Sequence, residues 1–253
     1  MFKGNVLQGF ILCMQALPML GQKGIKRYVV IPLILNIMIF SALAILISHY
    51  AEQILGDLQG FLPGWLAWLT YVLVPLLIFM FLLGMFFLFN LIANLVAAPF
   101  NGLLAQAVSR EQSPERVLYT ESLLALLSRT LRREISKILY YLPRMLVLLI
   151  ISWIPGVNLF APFLWCGFIA WMVAVQYVDY AADNEGRSFV ELRSLLASQP
   201  LSTLGFGGII MAGLAVPLLN FIVIPLGVIA ATLFWLQLNT PAGEKTVGFK
   251  ALR

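Results

Sequence analysis

The stretch Tyr28-Val29-Val30-Ile31-Pro32-Leu33-Ile34-Leu35-Asn36-Ile37-Met38-Ile39-Phe40-Ser41-Ala42-Leu43-Ala44-Ile45-Leu46-Ile47-Ser48-His49-Tyr50-Ala51 decides how this chain folds. It holds 24 residues without a formal charge. A helix rises ~1.5 Å per residue, so about 20 residues cross a hydrocarbon core of ~30 Å. The spacing predicts a spanning helix. Pro32 falls in its first turn, where a missing N–H costs little.

The neighbouring segments extend the same reading. Leu58 to Ser109 is again free of charge, broken early by Gly60, Pro63 and Gly64. From Trp65 to Phe89 it predicts a second spanning helix, with Trp65, Trp68 and Tyr71 at an interface. Beyond Phe89 come Asn90, Asn94 and then Ala97-Ala98-Pro99-Phe100-Asn101-Gly102. Polar and helix-breaking residues at apolar depth want protein or water as neighbours.

Composition agrees. The chain has 253 residues, 61% of them hydrophobic and 11% charged. Soluble domains carry about 25% charged residues, so lipid must be the solvent here. No Pro/Ser/Gly-rich linker occurs, and residues 1–253 are expected to form one membrane domain. The first 21 residues are only mildly apolar and lack a small-residue cleavage pattern, unlike a cleavable signal. A net charge of +5 raises nucleic acid as a partner, but the cations sit beside apolar helices. That is the pattern of cytoplasmic loops, so no nucleic-acid partner is expected. Cys13 and Cys166, far apart in apolar surroundings, are expected to be buried packing thiols.

Arg110 to Arg144 holds seven Lys/Arg and four Asp/Glu. Leu123, Leu127, Leu131, Ile135, Ile138 and Leu142 recur every three or four residues, which predicts a long basic amphipathic helix. Arg129 and Arg133 share one face at a spacing of four, with Arg132 on another. A charge at membrane depth is costly unless paired or hydrated. Asn101, Gln106, Arg110, Arg129 and Arg133 are therefore candidates for a hydrated anion route, with Glu134 or Glu121 tempering the arginines; alternatively Arg129, Arg132, Arg133 and Lys137 form a solvated face or touch lipid headgroups.

Met145–Val178 and Leu204–Leu238 are charge-free for 34 and 35 residues. Two full crossings and a turn need roughly 44. Each run carries similar punctuation: Pro155-Gly156-Val157-Asn158 then Pro162, and Pro217-Leu218-Leu219-Asn220 then Pro225. Each reads as a helical hairpin that enters the bilayer part way, forming a weak internal repeat. Tilted, kinked full crossings fit the same spacing. The fold class is thus all-α integral membrane: two long transmembrane helices, two short hairpins and the basic helix. Lys3, Lys23, Lys26 and Arg27 precede the first span, while the loop expected over 48–64 has Glu52 and Asp57 but no Lys or Arg. The charge rule puts the N-terminus and the basic block in the cytoplasm.

Catalysis finds little support. His49 is the single histidine, and neither G-x-S-x-G nor a P-loop occurs. Asp179 and Asp183 share a helix face and form a possible acid pair, or else end the first hairpin at the interface. No cofactor or metal is expected. Gly24-Ile25-Lys26-Arg27 lies directly before the first span. The N–H groups of a first helical turn suit an oxyanion, and two cations add charge. Basic residues there also serve as plain topology anchors.

Several segments, in order from about residue 20 to 238, resemble the CysZ family of bacterial sulfate permeases. They are Gly24–Arg27 with Pro32–Asn36, the string Ala97–Ala105, Arg132-Arg133-Glu134 with Lys137 and Tyr141–Arg144, Gln176–Tyr180 with Asp183-Asn184, and Pro217–Asn220. The Ala97–Ala105 string is the most specific. The resemblance implies uptake of sulfate, with other oxyanions as further candidate substrates, across the bacterial inner membrane for cysteine synthesis, with proton dependence. It also implies membrane lipids as neighbours and a homo-oligomer with inverted subunits, which conflicts with the charge asymmetry. It places the sulfate site at Gly24, Ile25, Lys26 and Arg27, and pore cations at Arg110, Arg129 and Arg133. The chain departs from the family's pattern at Lys26, where Arg is usual, and at Gln106, where Glu is usual. An ammonium lacks the bidentate fork of a guanidinium. The competing classes are a membrane scaffold with a lipid- or partner-binding basic helix, and an intramembrane enzyme using Asp179 and Asp183.

Overall fold

The computed structural model describes residues 4–61, 67–115, 122–216 and 219–239. Among these the chain is all-α. Its helices are α1 (Gln8–Ala16), α2 (Lys23–Phe61), α3 (Ala67–Gln112), α4 (Leu123–Ser152), α5 (Ala161–Asn184), α6 (Phe189–Ser198), α7 (Pro200–Leu214) and α8 (Asn220–Leu238). Short 3-10 turns cover Leu17–Gly21 and Val157–Phe160.

The contacts divide the chain into two units. One, Val30–Ala98, comprises most of α2 and the first two thirds of α3. Both helices outrun the sequence expectation. α2 has 39 residues and continues, through Gly56 and Gly60, into the segment expected as a loop. α3 has 46 and passes through Pro99 without a break. Trp68 and Tyr71 are exposed, whereas Trp65 lies outside the described residues.

The other unit holds residues 1–29 and 99–253. Its core is α5 packed on α7 and α8, with α1 laid across α7 and α8. Small residues let these backbones approach closely, as packing between membrane helices requires. A side chain at Gly207 would collide with the Ala170 carbonyl on α5, and one at Gly9 with the Phe206 backbone on α7. Leu12, Ala16, Phe206, Phe234 and Trp235 are fully buried. Helix α1 and the turn after it thus contribute Leu12, Cys13, Ala16 and Met19 to the core, which their mild hydropathy did not announce.

The basic block is divided between two helices. α3 ends at Gln112, just before Ser113-Pro114, and the residue before a proline avoids helical geometry. α4 starts after Ser122, whose Oγ accepts from Ala125 N at 3.4 Å, and runs on to Ser152. The two expected hairpins are present as helix pairs. The first turns at Trp153–Phe160, where Gly156 adopts φ +84°, open to glycine at little cost. Its arms exceed the length that charge counting implied: α5 has 24 residues because it continues past Asp179 and Asp183. The second has arms of 15 and 19 residues in α7 and α8. α6 precedes α7 at a bend of 103°. Among the described residues three segments, Lys23–Leu46, Leu127–Ser152 and Val157–Asn184, are long and apolar enough to cross a membrane. Cys13 is buried, but Cys166 is exposed on α5, and neither is in a disulfide.

Candidate functional site: a paired charge row and an arginine cavity

α4 carries Arg129, Arg133 and Lys137 at intervals of four, and α5 carries Asp179 and Asp183 at the same interval. Residues four apart stack on one helix face. The hairpin sets the two rows against each other. Arg129 Nη1 lies 2.6 Å from Asp183 Oδ2 and also donates to the Asp183 carbonyl at 2.6 Å. Arg133 meets Asp179 Oδ1 through Nε at 2.8 Å and Nη2 at 2.7 Å. Its Nη1 donates to the Arg187 carbonyl at 2.7 Å. Lys137 Nζ reaches Glu134 Oε1 at 2.6 Å and Asp179 Oδ2 at 3.3 Å.

Burial makes this pairing obligatory. Lys137 is 1% exposed and Asp179 2%. An isolated ion so buried would be several kcal/mol unfavourable, so each needs a partner and further hydrogen bonds. Three cations face three carboxylates, and the network is neutral overall. A polar shell extends it: Gln176 Nε2 donates to Tyr180 Oη at 3.1 Å, and Asn101 Nδ2 to the same oxygen at 3.4 Å. Asn184 Nδ2 donates to the Gly102 carbonyl at 2.7 Å, tying α5 to the polar string of α3.

Asn101, Arg129, Arg133 and Glu134 therefore meet in one network. The carboxylates opposite the arginines are Asp183 and Asp179, however; Glu134 serves Lys137 instead, and Glu121 lies outside the described residues. Gln106 is half-buried on α3, and Arg110, one turn on, is exposed without an ion pair to any described residue. Asp179 does not end the hairpin at a solvated surface. Nor is it half of a free acid pair, since both aspartates are engaged by cations. What sequence reasoning missed was this complementarity, although the matched spacing of four in the two rows was a signal for it.

At one edge of this network, Arg129, Arg132, Arg133 and Arg187 line a cavity of about 440 Å³ together with Ser136, Asp183 and Ser188. Arg132 is exposed and stays out of the pairing that Arg129 and Arg133 make with Asp183 and Asp179, yet it opens onto the same cavity. Gly186, at φ +69°, turns the chain after α5 so that Arg187 comes back over α4.

The first turn of α2 is arranged otherwise. Gln22 precedes it and accepts from Ile25 N at 3.0 Å and Lys26 N at 2.8 Å. Gly24 is exposed with open space where a Cβ would stand, so packing does not require glycine there. Lys26 and Arg27 are exposed, and the Arg27 guanidinium lies 4.7 Å from the Tyr28 ring centroid. Ile25 is fully buried in the core, so its side chain anchors the turn. Among the described residues no group of His, Cys, Asp and Glu could hold a metal ion.

Helices long enough to span a bilayer, with a buried charge network between two of them, define an integral membrane protein with a polar interior of the kind that serves ions and solutes. Residues 12–225 match the family described as Sulfate transporter CysZ/Etoposide-induced protein 2.4. The chain is 39% identical over 238 residues to the Sulfate transporter CysZ of Pseudomonas aeruginosa, covering 92% of this chain and 95% of that one. It is 40% identical over 228 residues to the protein of that name from Pseudomonas syringae, covering 88% and 89%. The counterpart in Pseudomonas fluorescens is 37% identical over 235 residues, covering 92% and 94%. The chain belongs to the sulfate transporter CysZ family.

Proposed function

We propose that this protein carries sulfate across the bacterial inner membrane, as a multi-pass, single-domain transporter that feeds cysteine biosynthesis. The observation that carries the reading is likeness along nearly the whole chain to proteins named sulfate transporters. In this reading the first turn of α2, at Gly24 to Arg27, receives the anion at the Gly24 N–H and on the two exposed cations, since the Ile25 and Lys26 N–H groups donate to the Gln22 carbonyl. Asn101, Gln106, Arg110, Arg129, Arg133 and Glu134 then border the route. A neutral network suits passage better than bare cations, because a route must attract sulfate without trapping it. Proton dependence, part-way insertion of the hairpins, a homo-oligomer and a cytoplasmic N-terminus belong to the same reading.

Tracer-sulfate uptake by purified protein in liposomes tests it, with and without an imposed pH gradient. Uptake above that of empty liposomes supports transport, and acceleration by an inward proton gradient supports the coupling. Sulfate uptake equal to that of empty liposomes in both conditions overturns the proposal and leaves a membrane scaffold.

A further inference from the structure

The four-arginine cavity has a charge surplus that the buried network does not explain. Arg129 and Arg133 are matched by Asp183 and Asp179. Arg132 and Arg187 also line the cavity, both exposed, and neither forms an ion pair with a described carboxylate. The nearby Glu191 carboxylate is taken up by the cap of α6, accepting from Ser188 N at 2.8 Å. The Ser188 hydroxyl, whose Oγ accepts from Glu191 N at 3.2 Å and keeps its proton to donate, completes a lining suited to a tetrahedral oxyanion. At ~30 Å³ per water, a space of about 440 Å³ holds on the order of a dozen waters, more than a bare sulfate fills.

The surroundings indicate which oxyanion. Arg132 stands beside an exposed apolar row on α4: Leu131, Ile135, Ile138 and Leu139, the last 68% exposed. Val190, two residues after Ser188, is exposed as well. A cationic cavity at the end of an apolar helix face matches an amphiphile, with the headgroup in the cavity and the chains along the helix. Basic pockets at the ends of membrane helices bind phosphate-bearing headgroups on this principle. We infer that this cavity holds the phosphate of an anionic phospholipid, gripped by Arg132 and Arg187, at the open end of the α4–α5 hairpin.

The test uses the whole protein in neutral detergent, with phosphatidylglycerol or phosphatidylcholine added. Lipid retention is read by native mass spectrometry and thermal stability by the melting midpoint. Phosphatidylglycerol should be retained about tenfold or more over phosphatidylcholine, and should raise the midpoint. An Arg132→Gln/Arg187→Gln variant should lose about tenfold of that preference. Arg144→Gln, with its guanidinium stacked 3.7 Å from the Tyr140 ring centroid outside the cavity lining, should keep it. Equal retention of the two lipids by the wild type overturns the inference without need of any variant. Stabilisation by millimolar inorganic sulfate that displaces phosphatidylglycerol, and that is lost in the double variant, also overturns it, because the cavity would then take the free anion. A folded double variant that retains phosphatidylglycerol like the wild type does the same.

Discussion

Arg133 and Asp179 lie 46 residues apart in sequence, yet two guanidinium nitrogens stand 2.8 and 2.7 Å from one Asp179 oxygen. The other Asp179 oxygen faces Lys137 at 3.3 Å. One carboxylate therefore offsets two cations where α4 meets α5. Removing one partner of a buried pair typically costs 3–5 kcal/mol. Asp179→Asn should accordingly lower stability by about 3 kcal/mol, and Asp179→Asn with Arg133→Gln should recover part of the loss. Denaturation in detergent across the four members of the cycle measures this; additive losses would mean that the pair is not coupled.

Sulfate affinity should separate the residues of the α2 turn. Arg27→Ala is expected to weaken binding about tenfold or more, and Lys26→Ala less, since a charge-assisted bond is worth roughly 1.5–3 kcal/mol and only arginine offers a fork. Ile25→Ala should act on stability instead, because Ile25 is 0% exposed. Calorimetric titration with sulfate checks all three; unchanged affinity in both cation variants would remove this turn as the site.

Flux should respond to the charge row. Arg129→Gln and Arg133→Gln are each expected to cut tracer-sulfate flux in liposomes while leaving affinity at the α2 turn nearly unchanged, because the two places share no residue. Wild-type flux in both variants would make the row a structural clasp alone.

The hairpin turns can be placed by labelling. Asn158 is exposed in the first turn and Asn220 begins α8. Cysteines at these positions, in a Cys13→Ala, Cys166→Ser background, should react slowly with a bulky impermeant reagent added from the periplasmic side. Fast reaction there would mean that the hairpins cross fully.

Close packing predicts a contrast between adjacent glycines of α7. Gly207→Ala should destabilise by about 1–3 kcal/mol, the usual cost of overpacking, since its Cβ would strike the Ala170 carbonyl. Gly208→Ala meets nothing within 4 Å and should be neutral or stabilising by up to about 1 kcal/mol. Melting midpoints of the two variants decide it.

Much of the architecture was legible from runs without charge. The Tyr28–Ala51 run lies within α2, the Pro155-Gly156 punctuation falls at the turn before α5, and Asn220 opens α8, while Pro217 and Leu218 lie outside the described residues. Less legible were α1 and α6, which are short and mixed in polarity, so that no run marked them. Counting charges also cut α5 short: Asp179 reads as an end signal, whereas a carboxylate held by Arg133 and Lys137 can continue a helix into the interior.

The sequence by itself determined the solvent, the helical class and the family pattern, because hydropathy, charge spacing and motif order are local and additive along the chain. Only the tertiary structure decided what each charge faces. Arg129 meets Asp183 across 54 positions, and Arg132 shares a cavity with Arg187. Such pairings depend on the rotation of one helix against another, which close contacts such as Gly207 on Ala170 set and no single segment encodes.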